Sequence, residues 1–174
     1  MDTLFIFGIR AKKQSVRRFK HIKKVGMMSQ KTKGRITTRT IAMPGDTNPS
    51  GDIFGGWVLS QMDIAAGICA GQRAQSRVVT VSVERMSFIQ PVKVGDILGI
   101  YTEVDRVGRT SIDVHIEAWV RRDRIGLREK VTEATFKFVA VDDNGKPTPV
   151  PAHEDLPAYV LNLNEYSSDQ LGED

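Results

Sequence analysis

Apolar residues along the chain change their spacing twice. Residues 35–42, RITTRTIA, are β-branched and free of Gly and Pro, which predicts a first strand. MPGDTNPSGD, 43–52, is dense in turn residues and predicts a loop. From Gly55 or Gly56 to about Gly71 the spacing is helical, with Gly71 placed to cap the end. Such a helix is about 22 Å long at 1.5 Å per residue. Beyond it the period becomes two. VVTVSVERMSFI (78–89) and ILGIYTEVDRV (97–107) flank the turn PVKVGD, and KVTEATFKFVAVD (130–142) ends at the turn DDNG. Between them, in RTSIDVHIEAWVRR (109–122), Ile112, Val114, Ile116, Ala118 and Val120 share one face, and Asp113, His115, Glu117, Trp119 and Arg121 the other. The order β-α-β-β-β-β has one long helix and strands joined mostly as antiparallel neighbours. A single apolar helix needs a sheet curled around it to cover its faces. The fold class is therefore α+β, with no internal repeat and no low-complexity tract.

The helix carries one anomaly. Gly56, Ser60, Asp63 and Gly67 follow one another at intervals of four, three and four, so they share a face. Trp57, Val58, Leu59, Met62, Ile64, Ile68 and Cys69 make up an apolar girth that belongs against a sheet. Asp63 has no Lys or Arg within a turn. An unpaired buried carboxylate costs several kcal/mol or takes up a proton. Either Asp63 accepts hydrogen bonds from backbone or Ser/Thr groups and stiffens the core, or it performs chemistry; spacing leaves both open. Gly55-Gly56 sharpens the question. Glycines at a helix start leave N–H groups unscreened at the positive end of the macrodipole, where an anionic or polarised oxygen is held. Close packing of the helix end on a strand is the alternative. An oxygen site and a carboxylate two turns apart on one face suit hydrolysis of a carbonyl compound.

Composition narrows the classes. At 174 residues the chain is most simply one domain, and its single cysteine, Cys69, excludes an internal disulfide and fits a reducing compartment, the cytoplasm. No apolar run is long enough to cross a bilayer. The net charge of +4 is unevenly spread: residues 1–26 hold eight Lys or Arg and one acid, leaving 17 basic against 20 acidic residues in the rest. A nucleic-acid partner would need its basic residues on the folded domain, so none is expected. Residues 1–34 are read as a disordered basic extension, with a targeting role second and a nucleic-acid arm third. Met27-Met28 offers an alternative start. Residues 153–174 are read as an acidic, flexible tail.

AMPGDTNPSGDIFGGWVLSQMDIAAG, VVTVSVERMSFIQPVKVGD, GRTSIDVHIEAWV and ATFKFVAVD together resemble the hotdog-fold acyl-CoA thioesterases of the YciA type, over about Arg35 to Pro151. The resemblance implies a single hotdog domain over 35–152, a curved antiparallel sheet wrapped around one central helix. It implies hydrolysis of acyl-CoA to a free acid and CoA, without metal or redox cofactor, at the interface of a dimer that assembles further into a trimer of dimers. It puts the catalytic acid at Asp63 and a catalytic Asn, supplied across the interface, at Asn48. Gly55 and Gly56 become the oxyanion-binding element. Asp63 acts either as general base on a water or as nucleophile. For Asn48 alone, an Asx-turn is the simpler reading of its loop.

Other candidates carry less. CoA brings phosphates, and Arg85, Arg109 and Ser111, with the basic turn Arg121-Arg122-Asp123-Arg124, are candidates to meet them, though a solvated charge is the simpler role for any one. Asp52 belongs to the loop or caps the helix, and Cys69 is read as core. His21, His115 and His153 show no metal-ligand spacing. The absence of a histidine near the helix argues against a hotdog dehydratase acting on hydroxyacyl thioesters. A non-catalytic acyl-CoA binder is the remaining alternative.

Overall fold

The computed structural model describes residues 31–84, 86–122 and 127–161. The leader 1–30, Arg85, Asp123, Arg124 and residues 162–174, with the readings placed on them, lie outside the described residues. All the elements belong to the unit Thr32–Asp174. They run β1 (Arg35–Ile41), α1 (Gly55–Ala74), β2 (Arg77–Val83), β3 (Ile97–Val107), β4 (Ser111–Arg121), β5 (Arg128–Val141) and a single-turn α2 (Ala158–Leu161). The strands form one five-stranded sheet in the order β1-β3-β4-β5-β2, with every pair antiparallel. This is the arrangement the resemblance implies, with α1 packed against one face of the sheet.

The period-two reading of β4 sets the core. Ile112, Val114, Ile116, Ala118 and Val120 are fully buried, facing Val58, Met62, Ala65, Ala66, Cys69 and Ala70 of α1 across one hydrophobic cluster. Alanines and the two valine- and methionine-sized side chains let the helix lie close to the sheet. The opposite face of β4 is not simply solvated. Glu117 and Trp119 are buried there, Trp119 Nε1 donating to Glu117 Oε2 at 2.9 Å and Lys130 Nζ to Glu117 Oε1 at 2.7 Å.

Several boundaries differ from expectation. Helix α1 runs through Gly71 to Ala74, a length of about 30 Å for 20 residues. Its end is made by Gln75 at φ 51°, whose N–H bonds to Gly71 O. Ala70, Gln72, Arg73 and Ala74 are good helix formers, so they carry the helix past a glycine that costs about 1 kcal/mol. β2 stops at Val83, short of the expected residue 89, although the N–H groups of Glu84 and Ile89 still reach Thr135 O and Val131 O at 3.0 and 2.8 Å. Residues on either side of the expected domain also pack. Thr32 is buried, and a Cβ on Gly34 (φ +76°) would lie 2.3 Å from Thr102 O, so only glycine passes there. Leu156 and Val160, beyond residue 153, are buried as well.

The apolar girth of α1 is only half covered. Leu59, Ile64 and Ile68, expected against the sheet, are exposed, as are Val79, Val81 and Val83 of the neighbouring edge strand β2. A single chain has one sheet, which covers one side of the helix.

Candidate active site

Helix α1 and the loop before it carry the candidate residues. Pro44–Asp46 form a 3-10 turn, and an isolated bridge between Thr47 and Ile53 closes the tip of the loop. Inside that tip Asn48 Oδ1 accepts the N–H groups of Ser50 (2.9 Å) and Asp52 (3.2 Å). Asn48 thus forms the Asx-type turn its setting favours, and its side-chain NH2 is left to act outward. Asp52 is a loop residue and does not cap α1, whose N-cap is Phe54; its carboxylate is ion-paired with Lys93.

At the helix start, Trp57 and Val58 donate to Phe54 O, while the N–H groups of Gly55 and Gly56 have no acceptor among the described residues. The two glycines differ. A Cβ on Gly55 would meet the Phe88 ring at 3.1 Å, so this position serves packing as well as access. A Cβ on Gly56 would meet nothing within 4 Å, so within one chain packing does not demand glycine there.

Asp63 is half-buried, less enclosed within one chain than its apolar neighbours imply. It has a partner: Thr80 Oγ1 on β2 donates to Asp63 Oδ1 at 2.7 Å, which satisfies one lone pair and leaves Oδ2 free to accept. Ser60 turns back on its own helix, donating to Trp57 O at 2.8 Å. Gly56 and Asp63 are seven residues apart, about 10 Å along the axis. Asp63 and Asn48 are not brought together within one chain by any contact.

Elsewhere the candidates scatter. Arg109 lies in the turn between β3 and β4, where its carbonyl accepts Val150 N–H at 2.8 Å, and Ser111 opens β4 opposite Val139. Arg122 is held by Glu129 at 3.3 Å and donates to Pro91 O. Cys69 is buried among core residues, and burial pushes its thiol up despite the Thr102 hydroxyl and Arg35 acting the other way, so it is a poor nucleophile. A cleft of about 260 Å³ at the C-terminal end of α1, lined by Cys69, Gln72, Thr102, Val104 and Leu156, includes neither Asp63 nor Asn48. His115 and Glu117 of β4 and Glu133 of β5 present ligand atoms within 4.8 Å of one another, and the approach of Glu133 is one that no sequence spacing reveals. Lys130 Nζ already bridges the two carboxylates. His115 lies on the sheet face away from α1.

Comparison with known proteins gives the family. Residues 50–126, which include the glycine pair and Asp63, match the thioesterase superfamily. The acyl-CoA thioester hydrolase YciA of Salmonella typhimurium is 51% identical over 127 residues, 71% of this chain and 96% of that protein. The chain belongs to the YciA family of acyl-CoA thioester hydrolases. Solved structures agree with the fold of this hydrolase. A hexameric broad specificity acyl-coenzyme A thioesterase superposes with a TM-score of 0.69 at 46% identity, covering 76% of this chain and 99% of that one. A hexameric hotdog fold thioesterase of Campylobacter jejuni gives 0.64 at 38% identity, covering 76% and 98%.

In this YciA-type hydrolase the partner of Asp63, Thr80, is not singled out by the sequence. Nothing in the pattern VVTVSV distinguishes it; only the docking of α1 on β2 puts its hydroxyl against Asp63.

Proposed function

We propose that this chain hydrolyses acyl-CoA thioesters to a free acid and CoA, using Asp63 to take the proton of an attacking water. Water oxygen bonds to the thioester carbon, the C–S bond breaks, and the CoA thiolate leaves and is protonated. The Asp63 carboxylate, fixed through Oδ1 by Thr80 and open at Oδ2, carries the proposal: it is oriented and still able to accept. The N–H groups of Gly55 and Gly56 receive the negative charge that develops on the carbonyl oxygen. Direct attack by Asp63 on the thioester carbon, giving a mixed anhydride that water opens, is the other route for the same residue.

Asn48 acts from the partner subunit, polarising the carbonyl or orienting the water. The loop that holds Asn48 runs directly into Gly55, so a partner that supplies Asn48 brings its own glycine pair with it. The 10 Å that separates Gly56 from Asp63 along one helix then ceases to matter, because Asp63 faces the loop of the other chain. The exposed Leu59, Ile64 and Ile68 beside Val79 and Val81 support a dimer built on this face. The hexameric relatives support association of such dimers in threes. Metal and redox cofactors have no part in the scheme. Among the described residues no helix is long and apolar enough to cross a membrane, and an enzyme with one free, buried cysteine suits the cytoplasm.

The deciding experiment follows release of CoA thiol from acyl-CoAs of increasing chain length. It compares the intact protein, Asp63→Ala, and a form starting at Met28. Turnover that collapses in a folded Asp63→Ala supports the scheme. Binding of acyl-CoA without thiol release by the intact protein overturns it.

A further inference from the structure

The sheet face turned away from α1 carries a second concentration of charge that thioester hydrolysis does not use. On β3, Gly99 lies opposite Arg39 of β1 and opposite Trp119 of β4, and in the next row Arg121 lies directly opposite Arg128. The three arginines line a hollow of about 100 Å³ floored by Gly99, Tyr101 and Trp119.

Like charges directly across a ladder are destabilising, and here no carboxylate among the described residues offsets them. Arg128 donates to the Tyr101 hydroxyl at 2.9 Å and lies 5.8 Å from the centre of its ring. Arg39 and Arg121 have no carboxylate within ion-pair distance among the described residues. Glu129, next to Arg128 in sequence, is paired with Arg122. The same face does pair its lysine, since Lys130 bridges Glu117 and Glu133. Among the described residues the arginines of the hollow are left without a carboxylate partner.

The shape of the hollow depends on Gly99. Glycine weakens a strand interior and marks a place where something approaches the backbone. A Cβ on Gly99 would make ordinary contacts, 3.4 Å to Ile36 Cδ1 and 3.5 Å to the Tyr101 ring, so packing does not demand glycine. What a side chain would do is raise the floor. Register shifts between Ile36 and Thr38 and between Ala118 and Trp119 flank the hollow, and such bulges re-aim side chains.

We infer that this hollow binds a phosphate-type dianion, with Arg39 and Arg121 donating to its oxygens and Arg128, steadied by Tyr101, completing the cradle. Guanidinium forks match phosphate oxygens in pairs, and the desolvated aromatic floor strengthens each contact. The dianion is either a separate phosphate compound or a phosphate of CoA held by a neighbouring protomer. The site does not rest on the hydrolysis scheme.

Isothermal titration of the intact protein with inorganic phosphate tests this, beside Arg39→Gln, Arg121→Gln, Gly99→Ala and, as a control on the same strand, Arg106→Gln. Saturable binding is expected, weakened about tenfold by each lost arginine, abolished in Gly99→Ala and unchanged in Arg106→Gln. Repeating it with saturating CoA and with CoA lacking its 3′-phosphate separates the sources. Suppression by CoA alone assigns the site to that phosphate, and suppression by neither assigns it to a separate compound. Absence of saturable binding overturns the inference, as does equal binding by all variants. So does a loss of binding that sedimentation traces to lost assembly, which would make the hollow a contact between copies.

Discussion

The Thr80 hydroxyl donates a 2.7 Å hydrogen bond to Oδ1 of Asp63, tying the middle of helix α1 to edge strand β2. A hydroxyl on a carboxylate orients it without neutralising it. Thr80→Val is therefore expected to lower kcat by roughly tenfold with little change in KM. Thr80→Ser, which keeps the donor, should restore most of the rate. Equal losses in both variants would make Thr80 a packing residue.

The proposed division of the site between protomers can be tested by mixing. Asp63→Ala and Asn48→Ala are each expected to be inactive as pure assemblies. Co-assembled, they should regain activity, because in a mixed dimer one of the sites receives both native residues. Thiol release that stays at background after verified subunit exchange would place both residues in one chain's site.

The uncovered side of α1 makes a further prediction. Ile64→Glu places a charge among Leu59, Ile68, Val79 and Val81. Sedimentation should then report monomers that retain helix and sheet by circular dichroism but release no thiol. A variant that still assembles at full activity would exclude this face as the interface.

Glu117 gives the pH dependence of stability. Burial alone would raise its carboxyl, but hydrogen bonds from Lys130, the Lys33 N–H and Trp119 outweigh that and hold it below its ordinary 4.5. A depressed carboxyl contributes stability that is fully present above its unfolded value and lost as pH falls through the folded one. Glu117→Gln should cost roughly 3 kcal/mol at neutral pH, measured by urea unfolding, and the gap to the native protein should close on acidification. Burial would lower Lys130, yet Glu117 and Glu133 raise it above 10.5, so its share disappears only in strong base.

The sequence made some of this legible and withheld the rest for physical reasons. β3 was readable to the residue, because Ile97–Val107 is bounded by turns on both sides. Helix α1 was readable in place but not in length, since a glycine flanked by strong helix formers does not stop a helix. Leu59, Ile64 and Ile68 look like core residues in any pattern; whether they face their own sheet or another chain is decided by how many sheets exist to cover them. Asp63 stood out as an acid among apolar residues, whereas its contact with Thr80 spans a 17-residue separation that no local pattern encodes. Most of the network of Glu117 on the outer face was hidden for the same reason: Trp119 is its neighbour on the same strand, but Lys130 comes from a different strand and the Lys33 N–H from the backbone before β1.

The strand order has a consequence for how the enzyme is built. β3, β4 and β5 are consecutive in the chain and adjacent in the sheet, so their ladders close over short loops. Strands β1 and β2, which flank α1 in sequence, join opposite edges of that meander and must wait for it. The amides of β4 should exchange most slowly with solvent, and those of β1 and β2 earlier. The helix that bears Asp63 is strung between the two edge strands, so on this order it should be the last element fastened, and under the proposed scheme activity should appear only at the end of folding.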